Sequence, residues 1–165
     1  MKYFAALFLV SFCTVFCLAQ SPVTNAMTDN DITQTILNNA NPDRELNLYD
    51  TQGNALAYVD CKDQYTIYLW DGTPVAYLYL NNNLFHIYSF NGNHLGWLVN
   101  GVVYDHDGSI VGCSKDVCPI MYQFEPMKEF KKIKPAKRMK NGEPFTPMIT
   151  GLWSDLTLAI FLNQK

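Results

Sequence analysis

Beyond Gln20 the 165-residue chain has no hydrophobic run long enough to cross a bilayer. It also lacks a Gly-rich phosphate loop, a Gly-x-Ser-x-Gly elbow and any paired-acid motif, so phosphate-transfer and hydrolase chemistry find no foothold. Histidine is scarce: His86, His94 and His106 stand without His-x-x-x-His spacing and at three different positions of the repeat described below. Repeat symmetry therefore gives them no reason to meet at one metal, and turn or surface histidines are expected. Asp105-His106-Asp107-Gly108 begins like a calcium loop, but the further Asp or Asn and the closing Glu are missing, so turn chemistry accounts for it. No residue set amounts to a catalytic site, and no cofactor is expected.

Cysteine is also sparse, and two of the five fall in the apolar run Ala5–Ala19 that follows Lys2. That run, ending in a polar stretch from Gln20, is the pattern of a secretory signal peptide over residues 1–19, with cleavage after Ala19. Lipid attachment at Cys13 or Cys17 is the rival reading, opposed by Phe12 and Phe16 where a small residue is wanted. The expected mature chain is exported, periplasmic or extracellular, with no membrane span. It retains Cys61, Cys113 and Cys118. An oxidising compartment permits a Cys113–Cys118 bridge closing CSKDVC, or a Cys61–Cys113 bridge joining the first and last hairpins; the sequence leaves both open.

The formal charge is −3, and the basic residues are unevenly placed. Lys128, Lys131, Lys132, Lys134, Lys137, Arg138 and Lys140 crowd one stretch that Pro126, Pro135, Pro144 and Pro147 punctuate. An acidic polymer, a nucleic acid or an anionic membrane surface would suit such a cluster. Without aromatic interleaving of the nucleic-acid kind, residues 122–148 are expected to be a solvated basic connector, with no nucleic-acid partner.

What the sequence has in abundance is repetition. Aligned on Gly53, Gly72, Gly92 and Gly108, each copy carries a tyrosine four residues earlier (Tyr49, Tyr68, Tyr88, Tyr104), preceded by Leu48, Ile67, Ile87 or Val103. Three residues after the glycines come Leu56, Val75, Leu95 and Val111, then a small residue (Ala57, Ala76, Gly96, Gly112), then Tyr58, Tyr77, Trp97 and, breaking the pattern, Cys113. Gln52, Asp71, Asn91 and Asp107 precede the glycines, and Asp or Asn before Gly between β-branched and aromatic runs signals a β-hairpin.

Two registers are available. A two-residue turn sets the aliphatic residue opposite the small residue; a three-residue type I turn closed by a left-handed glycine sets Leu48 opposite Leu56, Ile67 opposite Val75, Ile87 opposite Leu95 and Val103 opposite Val111. The second makes a continuous aliphatic face, extended by Tyr58, Tyr77 or Trp97, with the earlier tyrosine and the small residue on the other face. Lone hairpins are marginal in water, so the four aliphatic faces are expected to bury one another. Each buried Leu, Ile or Val contributes roughly 1.5–3 kcal/mol, enough in sum to order the stretch without a ligand.

The phrases LNLYDTQGNALAYV, TIYLWDGTPVAYL and HIYSFNGNHLGWLVNGVVYDHDGSIVGC resemble those of the bacterial four-fold β-flower proteins. The resemblance covers Leu46 to Cys113 and extends to the closing GLWSDLTLAIFL. It implies a mainly β fold of four repeated hairpins with pseudo-four-fold symmetry in exported or envelope-associated proteins, and no established reaction. The repeat domain is read as 46–121, after a polar linker 20–45 and before the connector and a C-terminal segment 149–165 that packs on the repeats. In the linker Thr28 suits the cap of a short helix from Asp29 to Asn39. In the C-terminal segment Ser154 suits the cap of a short helix with Leu156, Ala159, Ile160 and Leu162 facing inward, a strand being the alternative.

Two functions from different classes follow. One is a noncatalytic structural or protein-interaction module of the cell envelope. The other is a small-ligand or carbohydrate-binding module, like choline-binding hairpin arrays, in which Tyr58, Tyr77 and Trp97, with Trp70 and Phe90, line cages between hairpins. An envelope protein or a polysaccharide is the partner class each implies.

Overall fold

A computed structural model describes residues 45–115 and 117–164. The expected signal peptide and the helix at Asp29–Asn39 lie outside these. The fold is mainly β: eight strands close into a barrel in sequence order, followed by a short C-terminal helix. The strands are β1 (Glu45–Tyr49), β2 (Ala55–Asp60), β3 (Thr66–Leu69), β4 (Pro74–Asn81), β5 (Leu84–Ser89), β6 (His94–Val99), β7 (Val102–Tyr104) and β8 (Ile110–Ser114), with α1 at Leu158–Leu162. β8 pairs with β1, so no sheet edge is left open.

The turns of β1–β2, β3–β4, β5–β6 and β7–β8 are of one kind. In each, the glycine N–H donates to the carbonyl three residues back, at 3.0 Å for Gly53 to Asp50 and 3.0 Å for Gly92 to Ser89. The glycine takes a positive φ, +79° at Gly53 and +90° at Gly92, as a three-residue type I turn demands. The pairing beyond the turn corrects the expected register. Tyr49 pairs with Ala55 but Leu48 with Ala57, so Leu56 is bulged out. The same shift sets Ile67 opposite Ala76, Ile87 opposite Gly96 and Val103 opposite Gly112. Each hairpin thus combines the three-residue turn with the pairing assigned to the two-residue one, because a bulge absorbs the extra residue.

The small residues therefore face the barrel interior. Leu48, Ile67, Ile87, Leu95, Val103 and Val111 are buried in one core cluster, and the bulged Leu56 and Val75 pack against it half-buried. The helix fills the room the small residues leave: Leu158, Phe161 and Leu162 join that core. A Cβ added at Gly96 would stand 2.0 Å from the Tyr104 carbonyl oxygen and 3.0 Å from the Phe161 ring. The helix differs from its expected form. Thr157, not Ser154, caps it by accepting from the Ile160 N–H at 3.3 Å, and Ile160 is exposed while Leu158 and Phe161 point inward.

Candidate functional site

Alternation along the strands sends the tyrosines outward, yet Tyr49, Tyr58, Tyr68, Tyr77, Tyr88 and Trp97 are all buried. What covers them is the stretch 122–148, expected as a solvated connector. It has neither helix nor strand and follows the four turns as a strap. The N–H groups of Gln123, Lys132, Asn141 and Thr150 donate to the carbonyls of Gly53, Gly72, Gly92 and Gly108 at 2.8, 2.9, 2.8 and 2.9 Å. These attachments are nine residues apart, and Pro126, Pro135 and Pro144 keep the same interval. Each turn glycine is needed twice over: beyond its φ, a Cβ on Gly92 would lie 1.9 Å from the Met139 carbonyl oxygen.

Within each nine-residue unit the strap also has a period of three, the period of a polyproline II helix. One phase carries Tyr122, Glu125, Lys128, Lys131, Lys134, Lys137 and Lys140, which turn onto the barrel wall. The sequence cluster of lysines is thus mainly a set of inward anchors. Between β2 and β3, Tyr58 and Tyr68 stack with centroids 5.6 Å apart and Trp70 stands edge-on to Tyr58. The Lys128 ammonium sits 4.1 Å from the Tyr58 centroid and 4.6 Å from that of Trp70, and salt-bridges Glu45 at 2.6 Å. Lys131 pairs with Glu45 and Asp60, and Lys134 with Asp63. Between β4 and β5, Tyr77 stacks on Tyr88 and tilts against Phe90, with Lys137 4.1 Å above Tyr77 and Lys140 over Tyr79 and Tyr88. Two of the proposed aromatic cages are therefore filled by ammonium groups of the chain itself.

The other two grooves are filled differently. Between β8 and β1, Cys113 forms its disulfide with Cys118, leaving Cys61 free, and Tyr122 packs edge-on against Tyr49, whose hydroxyl donates to Glu125. Burial, reinforced by that carboxylate, pushes the Tyr49 hydroxyl well above the ordinary tyrosine range. Between β6 and β7, Trp97 and Tyr104 are cross-strand neighbours, and nine residues beyond Lys137 and Lys140 the strap offers Thr146 and Ile149. Here the three histidines gather, and His86 and His94 are buried rather than at the expected surface, with His106 in its expected turn. His86 Nδ1 lies 3.0 Å from His94 Nε2, and His94 Nδ1 lies 2.9 Å from His106 Nε2. The His94 ring is 4.7 Å from Trp97.

Each of these two contacts holds one shared proton, so a neutral His94 donates through one nitrogen and accepts through the other. Burial, with His106 and His86 beside it, presses the His94 imidazole down to about 3. The row can pass a proton between exposed His106 and buried His86, but among the described residues no group of three His, Cys, Asp or Glu is placed to hold one metal ion. The Trp97 Nε1, in the same groove, is buried with no hydrogen-bond partner among the described residues.

A third strap phase had no counterpart in the sequence reading. Met121, Phe124, Met127, Phe130, Ile133, Met139, Phe145 and Met148 fall every third residue, with Ala136 and Gly142 completing the row, and these eight large side chains are 82–101% exposed. The signal was present as an apolar residue at every third position from 121 to 148. A cavity of about 210 Å³ lies between the turns of β3–β4 and β5–β6 and the end of α1, lined by Thr73, Phe90, Asn91, Pro135 and Asn163.

No curated protein and no solved structure matches the chain. A model of the 4-fold beta flower protein family matches residues 46–162, spanning barrel, strap and helix, and the chain belongs to that family.

Proposed function

We propose that the protein is an exported, noncatalytic structural or protein-interaction module of the bacterial cell envelope, built as four hairpins with pseudo-four-fold symmetry and girdled by its own strap. The observation that carries this reading is that the aromatic grooves are already occupied from within, by Lys128 and Lys131 in one and Lys137 and Lys140 in the next. A ligand seeking Tyr58 or Tyr77 would have to displace both an ammonium and the strap. The cavity at the turns is below the roughly 300–1,000 Å³ of ordinary ligand sites. The face left for a partner among the described residues is the apolar ridge of the strap, eight large side chains at 82–101% exposure, and exposed apolar groups in such a row mark an interaction site. The Cys113–Cys118 disulfide suits an oxidising compartment.

The test is titration of choline, cell-wall fragments and common glycans against tryptophan fluorescence and amide chemical shifts. The expected result is no saturable change in the intact protein. Saturable binding that Tyr77→Ala abolishes would overturn the scaffold reading in favour of a small-ligand or carbohydrate module.

A further inference from the structure

We propose that the apolar ridge of the strap docks on the anionic surface of a lipid bilayer; this rests on the reading of that ridge as the protein's interaction face. The turns that carry the strap all lie at one end of the barrel, because β1–β2, β3–β4, β5–β6 and β7–β8 are successive hairpins of an up-and-down barrel. Following those turns in order, the strap traces the rim of that end. The helix closes the mouth inside the rim, with its C-terminal residues beside Thr73 and Asn91, and there Ile160 is 56% exposed. Leu152, whose carbonyl accepts from the Ile110 N–H at the start of β8, is exposed as well. A rim and its lid both bearing apolar groups suit a plane. A globular protein would need a ring-shaped socket to cover the same groups.

Composition and charge fit a membrane interface. The ridge holds Met121, Phe124, Met127, Phe130, Ile133 and Met139 among its members, apolar side chains, most of them unbranched or aromatic, that insert singly among acyl chains. The strap over 121–150 carries seven basic and three acidic residues. Lys137, Arg138 and Lys140, which flank Met139, make no salt bridge among the described residues, and Lys137 and Arg138 are exposed. The turn acid Asp71 is neutralised by Lys132 at 3.0 Å. Arg138 beside Met139 is free to meet anionic headgroups directly, and Lys137 and Lys140, though seated over Tyr77 and Tyr79, keep their positive charge beside the ridge.

The experiment is flotation of the chain beginning at Gln20, which keeps every described residue and removes the apolar run before it, with vesicles of phosphatidylcholine containing 30% phosphatidylglycerol or none. Expected is co-flotation with the anionic vesicles, weakened by salt, and little with pure phosphatidylcholine. The variant Phe124→Ser/Phe130→Ser/Ile133→Ser should lose partitioning by about 100-fold or more. Its circular dichroism and unfolding midpoint should not move, since these side chains meet water rather than the core. Equal flotation of variant and intact protein, or none by either, overturns the proposal. Ridge-dependent self-association in vesicle-free sedimentation, without flotation, also overturns it, assigning the ridge to a second copy and leaving the interaction-face reading intact. No ridge-dependent behaviour in either assay removes both.

Discussion

Replacing Gly92 by alanine tests whether the strap is seated on the turns or merely lies beside them. Gly92 holds a φ of +90°, which an L-residue adopts at a penalty of about 1–2 kcal/mol. The new Cβ would also sit 1.9 Å from the Met139 carbonyl oxygen, a backbone atom that can yield only if the strap lifts. Lifting breaks the Asn141 N–H bond to Gly92 at 2.8 Å and the neighbouring Arg138 N–H bond to Phe90 at 2.9 Å. At roughly 0.5–1.5 kcal/mol each, these raise the expected loss to about 2–5 kcal/mol. The matched control is Gly142→Ala, a strap glycine with nothing within 4 Å of an added Cβ. Urea unfolding gives the stability difference, and the rate of tryptic cleavage after Arg138 and Lys140 reports strap release. Equal midpoints and equal cleavage rates for the two variants would refute a seated strap.

Three further outcomes follow from the same geometry. Because burial holds His94 near 3 against about 6.5 in an unfolded chain, the unfolded state takes up the proton first; the stability this supplies is complete above pH 6.5 and drains as pH falls toward 3, by roughly 2 kcal/mol at pH 5. Denaturant titrations at pH 7.5 and 5 should show that loss in the intact protein and less of it in His94→Leu; identical pH slopes would contradict the histidine row. Phe161→Ala empties the centre of the helix plug, where the ring is fully buried, and should lower stability by about 3–5 kcal/mol in calorimetry, a loss below 1 kcal/mol meaning that the helix does not close the barrel. Lys128→Met retains the stem but removes the ammonium over Tyr58 and Trp70; a loss of about 0.5–2 kcal/mol, partly abolished by high salt, is expected, and no change in either condition would deny the cation–π seat.

The hairpins were legible because each is specified by neighbours in sequence: an aromatic, an acid or amide, a glycine and two aliphatics at fixed offsets. The register was not, since the bulge at Leu56 and its equivalents depends on what the small residue at the next position must face, and that is α1, about a hundred residues away in the chain. The gathering of the histidines was missed for a related reason. They occupy unlike repeat positions, His86 and His94 on paired strands and His106 in the β7–β8 turn, and it is the side-by-side pairing of β5, β6 and β7 that brings those positions to one groove. Tyr58 and Tyr77 were read as lining cages between hairpins; in the structure both rings are buried and the cation over each comes from the chain's own lysines. The strap's nine-residue interval was visible in Pro126, Pro135 and Pro144, but it acquires meaning only beside four turns spaced around a barrel.

Nine residues are three turns of a three-residue helix, so every return to a turn glycine restores the strap to the same rotational phase. The phase that bonds the turns and the phase that reaches the barrel wall are both fixed by partners: Asn141 by Gly92, Lys128 by Glu45 and Tyr58. The remaining phase has no partner among the described residues. Any polar residue at 124, 130 or 133 would leave each attachment in place and would gain solvation, whereas Phe124, Phe130 and Ile133 hold apolar surface in water at almost full exposure. Folding therefore does not account for the ridge. A single inserted residue between Lys132 and Met139 would rotate the downstream strap by a third of a turn, driving Met139 toward the wall, Lys140 into the position from which Asn141 bonds Gly92, and Asn141 out into the ridge. The seating and the ridge are thus set by one register, and a face kept apolar against its own solvation in that register is where the function of the molecule is to be sought.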